Sequence, residues 1–156
     1  MLALVVSHPR PLACVFKKEL SNIPFLKQIV ACTRSKAMDR EDVRQSLEVI
    51  RTVTKEIQAG RNYIIYPEGT RNKDEGLLPF HNGVFKIAQR ANAPIAVLCV
   101  TGTEKIHKRT PFRRTDVYLD VLEVLPAEQV KREKTEVIGA HVRDLLLKNI
   151  EEREHK

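Results

Sequence analysis

Apolar positions along this chain fall into two rhythms. From Asp42 to Ala59 they recur at steps of four and three: Val43, Leu47, Ile50, Val53 and Ile57. That spacing predicts an amphipathic helix, with Asp39 available to cap its start and Gly60 its end. A second stripe, Ile138, Val142, Leu145, Leu146 and Ile150, predicts a helix from Thr135 to Glu154. Shorter apolar runs at Ala13–Phe16, Ser35–Met38, Tyr63–Tyr66 and Ile95–Val100 predict strands. Asp116–Val121 alternates polar and apolar residues, as a half-exposed strand does. Ser21–Cys32 reads as a helix with Pro24 tolerated in its first turn. Val84–Ala91 reads as another, with Asn92 as its left-handed terminator. Strands alternating with helices predict an α/β fold, a mostly parallel sheet flanked by helices. At 156 residues the expectation is one domain, 1–156, with a core over about 12–125 and a C-terminal helix over about 135–154.

The most informative segment is Tyr66-Pro67-Glu68-Gly69-Thr70-Arg71. It follows the apolar run Tyr63–Tyr66 and precedes the polar stretch Asn72-Lys73-Asp74-Glu75-Gly76. A strand thus delivers a carboxylate, a glycine, a hydroxyl and a guanidinium to its own C-terminal end. In open α/β sheets that edge is where ligands bind. Arginine grips phosphate with paired hydrogen bonds, and glycine lets the backbone come close. This chemistry points to an anionic, phosphorylated ligand. A Pro-Glu-Gly turn beside a solvated Arg is the plain alternative.

With Leu77-Leu78-Pro79-Phe80 and Gly83-Val84-Phe85 behind it, the hexapeptide resembles the signature of the glycerolipid acyltransferases. The chain is most similar to the 1-acylglycerol-3-phosphate (lysophosphatidate) acyltransferases. Three further blocks match in the family's order. They are Val15-Phe16-Lys17-Lys18-Glu19-Leu20 with Ile23-Pro24-Phe25, then Met38-Asp39-Arg40, then Ala93-Pro94-Ile95-Ala96-Val97 ending in Thr101-Gly102-Thr103. The resemblance covers about Leu12 to Thr103. It implies a glycerol-3-phosphate acyltransferase-like fold. It implies transfer of an acyl group from acyl-CoA or acyl carrier protein to the free hydroxyl of lysophosphatidate, giving phosphatidate. No metal or other cofactor is implied; the thioester is a co-substrate.

The resemblance also exposes a departure. The family's catalytic motif is a His followed five positions later by an Asp, roughly twenty residues before the Lys-Glu-Leu block. Counting back from Lys17 runs off the chain, and no histidine here has Asp at that spacing: His8 leads to Ala13, His81 to Lys86, His107 to Phe112 and His141 to Leu146. The expectation is an acyltransferase domain lacking its N-terminal catalytic segment, with no catalytic residue of its own and negligible activity alone. A noncatalytic lipid- or phosphate-binding module descended from such an enzyme is the alternative. Met1–Val6 is apolar and reads as the last turns of a helix.

The resemblance assigns substrate or phosphate binding to Lys17, Arg40, Glu68, Gly69, Thr70 and Arg71. Arg40 stands at the start of the long predicted helix, where unpaired N–H groups attract anions. Lys17 and Lys18 are adjacent on a strand, so only one faces the pocket; the family pattern selects Lys17 and leaves Lys18 solvated. Glu68 would be repelled by phosphate and is expected to brace the turn or bind a substrate hydroxyl. Thr70 either donates to the anion or caps the loop. His81 shows no carboxylate partner at helical or strand spacing and reads as a polar loop residue.

Charge narrows the partners. The formal net charge is +7 and the pI about 9.5, which favours acidic partners. Lys105, Lys108, Arg109, Arg113 and Arg114 crowd one acid-free segment. It reads either as an exposed loop or as a contact for anionic lipid headgroups. Only eight aromatic residues are present (five Phe, three Tyr, no Trp), and none builds a stacking platform among the basic runs, so nucleic acid is not an expected partner. No apolar run is long enough for a transmembrane helix. Cys14, Cys32 and Cys99 show no metal-like spacing and read as reduced thiols. Together these features place the expected protein in the cytoplasm, peripheral on the inner face of a membrane.

Overall fold

A computed structural model of the chain describes residues 10–39, 42–69, 77–103 and 115–154. The expectation for Met1–Val6 lies outside them. The first half alternates strand and helix. β1 (Leu12–Lys17) leads through a 3₁₀ turn (Lys18–Asn22) into α1 (Pro24–Thr33), followed by β2 (Lys36–Met38), α2 (Val43–Gln58) and β3 (Asn62–Ile64). The second half holds a 3₁₀ turn (Asn82–Val84), α3 (Phe85–Ala91), β4 (Ile95–Thr101), β5 (Tyr118–Leu125), α4 (Ala127–Arg132) and α5 (Thr135–Glu154).

β1, β2 and β3 form a parallel sheet in the order β2-β1-β3. The chain steps from β1 to one side, then crosses back over it. Right-handed crossovers therefore put α1 and α2 on opposite faces of the sheet. This is doubly wound topology, and the direction of winding switches between β1 and β3. β4 and β5 form a separate antiparallel pair with a register shift between Val97 and Leu98. The expected α/β architecture with parallel strands flanked by helices is present.

Most of the buried apolar mass lies against β4 and β5. Phe85, Val97, Leu125, Val130, Ile138 and Val142 form one cluster joining that pair to α3, α4 and α5. Gly139 lets α5 press on the turn before α3: a side chain there would meet the Asn82 amide oxygen and come within 3.2 Å of the Phe85 ring. Gln89 ties α3 to α4 by donating to the carbonyls of Val130 (3.0 Å) and Glu133 (2.7 Å).

A polar knot closes the sheet towards its N-terminal edge. One Glu56 oxygen accepts from Tyr63 Oη at 2.6 Å and from Arg61 Nη1 at 3.1 Å, and the other meets Lys36 Nζ at 2.7 Å. Arg61 also donates to the Thr33 carbonyl at 3.2 Å. The knot thus joins α2, β2, β3 and the end of α1. Partial burial pushes the Glu56 carboxyl up, but hydrogen bonds from Lys36 and Tyr63 and the Lys36 and Arg61 charges outweigh it and hold the pKa below the usual range. Burial, then the hydrogen bond to Glu56, pushes the Tyr63 phenol far above its ordinary value.

Several local expectations need correction. Asp42, not Asp39, caps α2; its Oδ1 accepts from Gln45 N at 3.0 Å. Asp39 is occupied elsewhere, with its N–H donating to the Gln45 side chain and its carboxylate meeting Lys18. The α2 stripe is only partly covered: Val53 is 0% exposed, Leu47 44% and Val43 69%. β3 stops at Ile64, leaving Tyr66 in the following turn. The last strand runs to Leu125 rather than Val121, because antiparallel pairing with β4 carries it on. The short helix α4 was not expected.

Candidate functional site

Of the binding residues singled out in the sequence, Lys17, Glu68 and Gly69 fall among the described ones, and they lie at the C-terminal ends of β1 and β3. Lys17 ends β1 and pairs in register with Met38 at the end of β2. β3 is offset, with Cys14 level with Ile64. The chain then leaves the C-terminal end of β3, beside β1, through Ile65 and Tyr66 into Pro67. The Pro67-Glu68-Gly69 turn therefore sits at the switch point between β1 and β3, where doubly wound sheets open a crevice. Gly69 N–H donates to the Tyr66 carbonyl at 3.1 Å, and Gly69 has φ 72°, a left-handed conformation that costs glycine nothing.

Glu68 braces this turn. Its Oε2 accepts from the Leu78 N–H at 2.9 Å, and His81 N–H donates to the Pro67 carbonyl at 2.9 Å. The two sides of the segment joined by 70–76 are thus stitched together at its base. Of the two roles open to Glu68, bracing is the one this hydrogen bond serves. His81 takes part through its backbone, and its side chain is exposed.

Lys17 is 55% exposed and pairs with Glu19 at 2.9 Å. Lys18 lies in the 3₁₀ turn rather than on the strand, so the argument from opposite strand faces does not hold for this pair. Lys18 is not simply solvated either: it meets Asp39 at 3.2 Å, linking the ends of β1 and β2. The Asp39 end is fixed further by Gln45, which donates to the Ala37 carbonyl at 2.9 Å, and by Ser46, which donates to the Asp39 carbonyl at 2.6 Å. Arg40, Thr70, Arg71 and the basic run from Lys105 to Arg114 lie outside the described residues. At this edge Lys17 pairs with Glu19 near the surface, Gly69 closes its turn onto Tyr66, and Glu68, Asp39 and Lys18 are held by the bonds described above.

Next to the turn is a small apolar cavity of about 90 Å³, lined by Ile65, Pro67, Phe85, Val97, Val142 and Leu146 among others. It has room for about three water-sized groups. A larger opening of about 360 Å³ lies at the opposite edge, lined by Arg10, Pro11, Ala59, Gly60, Arg61 and Asn62. That opening faces the C-terminal end of α2, whose dipole disfavours an anion. Of the two arginines lining it, Arg61 is engaged with Glu56 and the Thr33 carbonyl.

Cys14 and Cys99 are buried and Cys32 is exposed, and none of the three is in a disulfide. Burial pushes the Cys14 and Cys99 thiols up, away from the thiolate form a nucleophile needs. Among the described residues no cluster of His, Cys, Asp and Glu has metal-binding geometry, and no helix is long and apolar enough to cross a membrane. Sequence reasoning missed two features. His141 Nε2 lies 2.8 Å from Glu123 Oε2, a pairing hidden by its strand-to-helix origin. Arg143 of α5 reaches the Leu77–Leu78 segment beside the turn.

The fold and its switch-point turn are those of an α/β acyltransferase domain, and the chain belongs to the Acyltransferase family, whose profile matches residues 1–101. It is 32% identical over 146 residues to the 1-acyl-sn-glycerol-3-phosphate acyltransferase of Salmonella typhimurium, covering 91% of this chain and 58% of that one. The Escherichia coli enzyme of the same name is 30% identical over 143 residues, with the same coverage. Among solved structures, the 1-acyl-sn-glycerophosphate acyltransferase PlsC of Thermotoga maritima superposes with a TM-score of 0.74 at 21% identity, covering 99% of this chain and 62% of that one. This chain thus spans somewhat over half the length of the relatives it matches.

Proposed function

We propose that this chain carries the acceptor-binding half of a lysophosphatidate acyltransferase site. The observation that carries the reading is the Pro67-Glu68-Gly69 turn at the β1/β3 switch point, in a chain of the Acyltransferase family. Lys17, Arg40, Thr70 and Arg71 take the phosphate of 1-acylglycerol-3-phosphate, Gly69 lets the turn approach it closely, and Glu68 fixes the turn that presents them. In the complete reaction a His takes the proton of the acceptor hydroxyl while an Asp orients its ring. The oxygen attacks the thioester carbonyl of acyl-CoA or acyl-ACP, the C–S bond breaks, and the thiol leaves with a proton. Phosphatidate is the product. This sequence has no His with Asp five positions on, so the chain by itself binds and does not turn over. That same fact favours the second reading, a noncatalytic lipid- or phosphate-binding module. Its basic surface suits peripheral attachment to the anionic inner face of a membrane.

The test titrates lysophosphatidate and a generic oligonucleotide in parallel at low salt and at about 0.5 M salt, where the Debye length shrinks to a few Å. Lysophosphatidate binding should persist in part at high salt and strengthen with acyl length. Arg40→Ala and Arg71→Ala should each weaken it by about 1.5–3 kcal/mol, the range for a hydrogen bond to a charged group. Binding of the oligonucleotide alone, unaffected by either variant, overturns the assignment.

A further inference from the structure

The C-terminal helix reaches back to the turn through one side chain. Arg143 Nη1 donates to the Leu78 carbonyl at 2.8 Å and Nη2 to the Leu77 carbonyl at 3.0 Å. Its guanidinium carbon lies 5.8 Å from the centre of the Phe80 ring. The fork thus grips two consecutive peptide carbonyls and rests near the ring two residues on. Leu78 is held from both sides, because its N–H is the donor to Glu68 Oε2. A continuous path runs from Arg143 to the Leu78 peptide, from there to the Glu68 carboxylate, and so to the Pro67-Glu68-Gly69 turn. A cation on the carbonyl polarises that peptide, and neighbouring bonds in such chains strengthen one another.

The bland account of Arg143 is a helix-surface arginine whose stem covers apolar surface. It does not explain why both terminal nitrogens are spent on backbone carbonyls. Lysine has a single ammonium and no fork, so it reproduces the charge without the two-point grip. Arg143 also lies beyond the residues matched by the family profile, in the helix whose Val142 and Leu146 line the cavity beside the turn.

We propose that Arg143 is a positioning residue for the phosphate-binding turn, acting through Leu78 and Glu68. This rests on the reading that the turn binds the phosphate of a lysophospholipid. The experiment uses the full 156-residue chain with Arg143→Lys and Arg143→Met, and three readouts. These are hydrogen exchange of the Leu78 and His81 amides, titration with a short-chain lysophosphatidate below its micellar concentration, and thermal unfolding. Arg143→Met should speed exchange at Leu78 and His81 at least tenfold more than at Val97 or Ile138, and weaken lysophosphatidate binding about five- to tenfold. Arg143→Lys should recover stability but not the binding or the Leu78 protection. Uniformly faster exchange in Arg143→Met, or wild-type binding in either variant, overturns the positioning role while leaving the binding reading intact. Failure of the wild-type chain to bind overturns both, and the exchange data then show a structural brace only.

Discussion

Tyr63→Phe is the sharpest probe of the polar knot that holds the parallel strands together. The change removes one hydroxyl and keeps the ring. The lost bond is 2.6 Å long and ends on a carboxylate. Hydrogen bonds to charged groups contribute about 1.5–3 kcal/mol net. Glu56 keeps Lys36 and Arg61, and its side chain is only partly buried, so water replaces part of the loss. The expected cost at neutral pH is about 1–1.5 kcal/mol. For 156 residues the unfolding entropy is about 0.33 kcal/mol/K, at about 2.1 cal/mol/K per residue, so Tm should fall by about 3–5 °C. The pH dependence adds a second signature. Tyr63 titrates above its ordinary value in the folded chain. Its stabilising contribution is therefore complete below the unfolded value of about 10 and declines as pH rises past it. The gap between wild type and Tyr63→Phe should narrow on going from about pH 9 to about pH 11. Urea unfolding followed by circular dichroism across that range measures it. A gap under about 0.3 kcal/mol at pH 7 would refute the reasoning, as would one that widens with pH.

Asp42→Ala removes the α2 cap and should cost about 1 kcal/mol in the same assay; no loss would mean that Gln45 and Ser46 hold the first turn unaided. The purified chain should transfer acyl groups negligibly, since a general base typically contributes about 10²–10⁴-fold. Robust turnover from labelled acyl-CoA would point first to His81 and to His141 with Glu123. β5 leaves Val121 and Val124 exposed on an outer strand, so the chain should self-associate in sedimentation velocity, and Val121→Lys with Val124→Lys should reduce that association. An unchanged sedimentation profile would place the contact elsewhere.

Much of the fold was legible because burial writes itself into spacing. The runs at Ala13–Phe16 and Ile95–Val100 became strands, and the stripe from Ile138 to Ile150 became α5 over its full expected length. The choice between Asp39 and Asp42 was not legible. Both sit before the helix, and only the tertiary engagement of Asp39 with Gln45 and Lys18 decides it. The strand order β2-β1-β3, and the antiparallel partnership of β4 with β5, follow from long-range packing that periodicity does not encode. At the site, the turn and its edge were readable from Pro67, Glu68 and Gly69. The bond from Leu78 to Glu68 was not, and the Arg143 fork still less, since it joins residues 65 and 66 positions apart.

The exposure gradient along α2 has a dynamic consequence. Its C-terminal half is anchored by Val53 and Thr54 in the core, while its first two turns carry Val43 mostly, and Leu47 partly, in solvent. Local opening should therefore begin at the sheet edge, with the first turn resisting only through polar latches from Asp42, Gln45 and Ser46. This is the end of the helix that adjoins the proposed phosphate site. A ligand that binds only the closed edge adds RT ln(1 + [L]/Kd) to the cost of that opening, about 2.7 kcal/mol at a hundredfold excess over Kd. Occupancy of the site and order in the first turns of α2 are then one equilibrium, and amide protection from Gln45 to Glu48 becomes a built-in gauge of ligand binding.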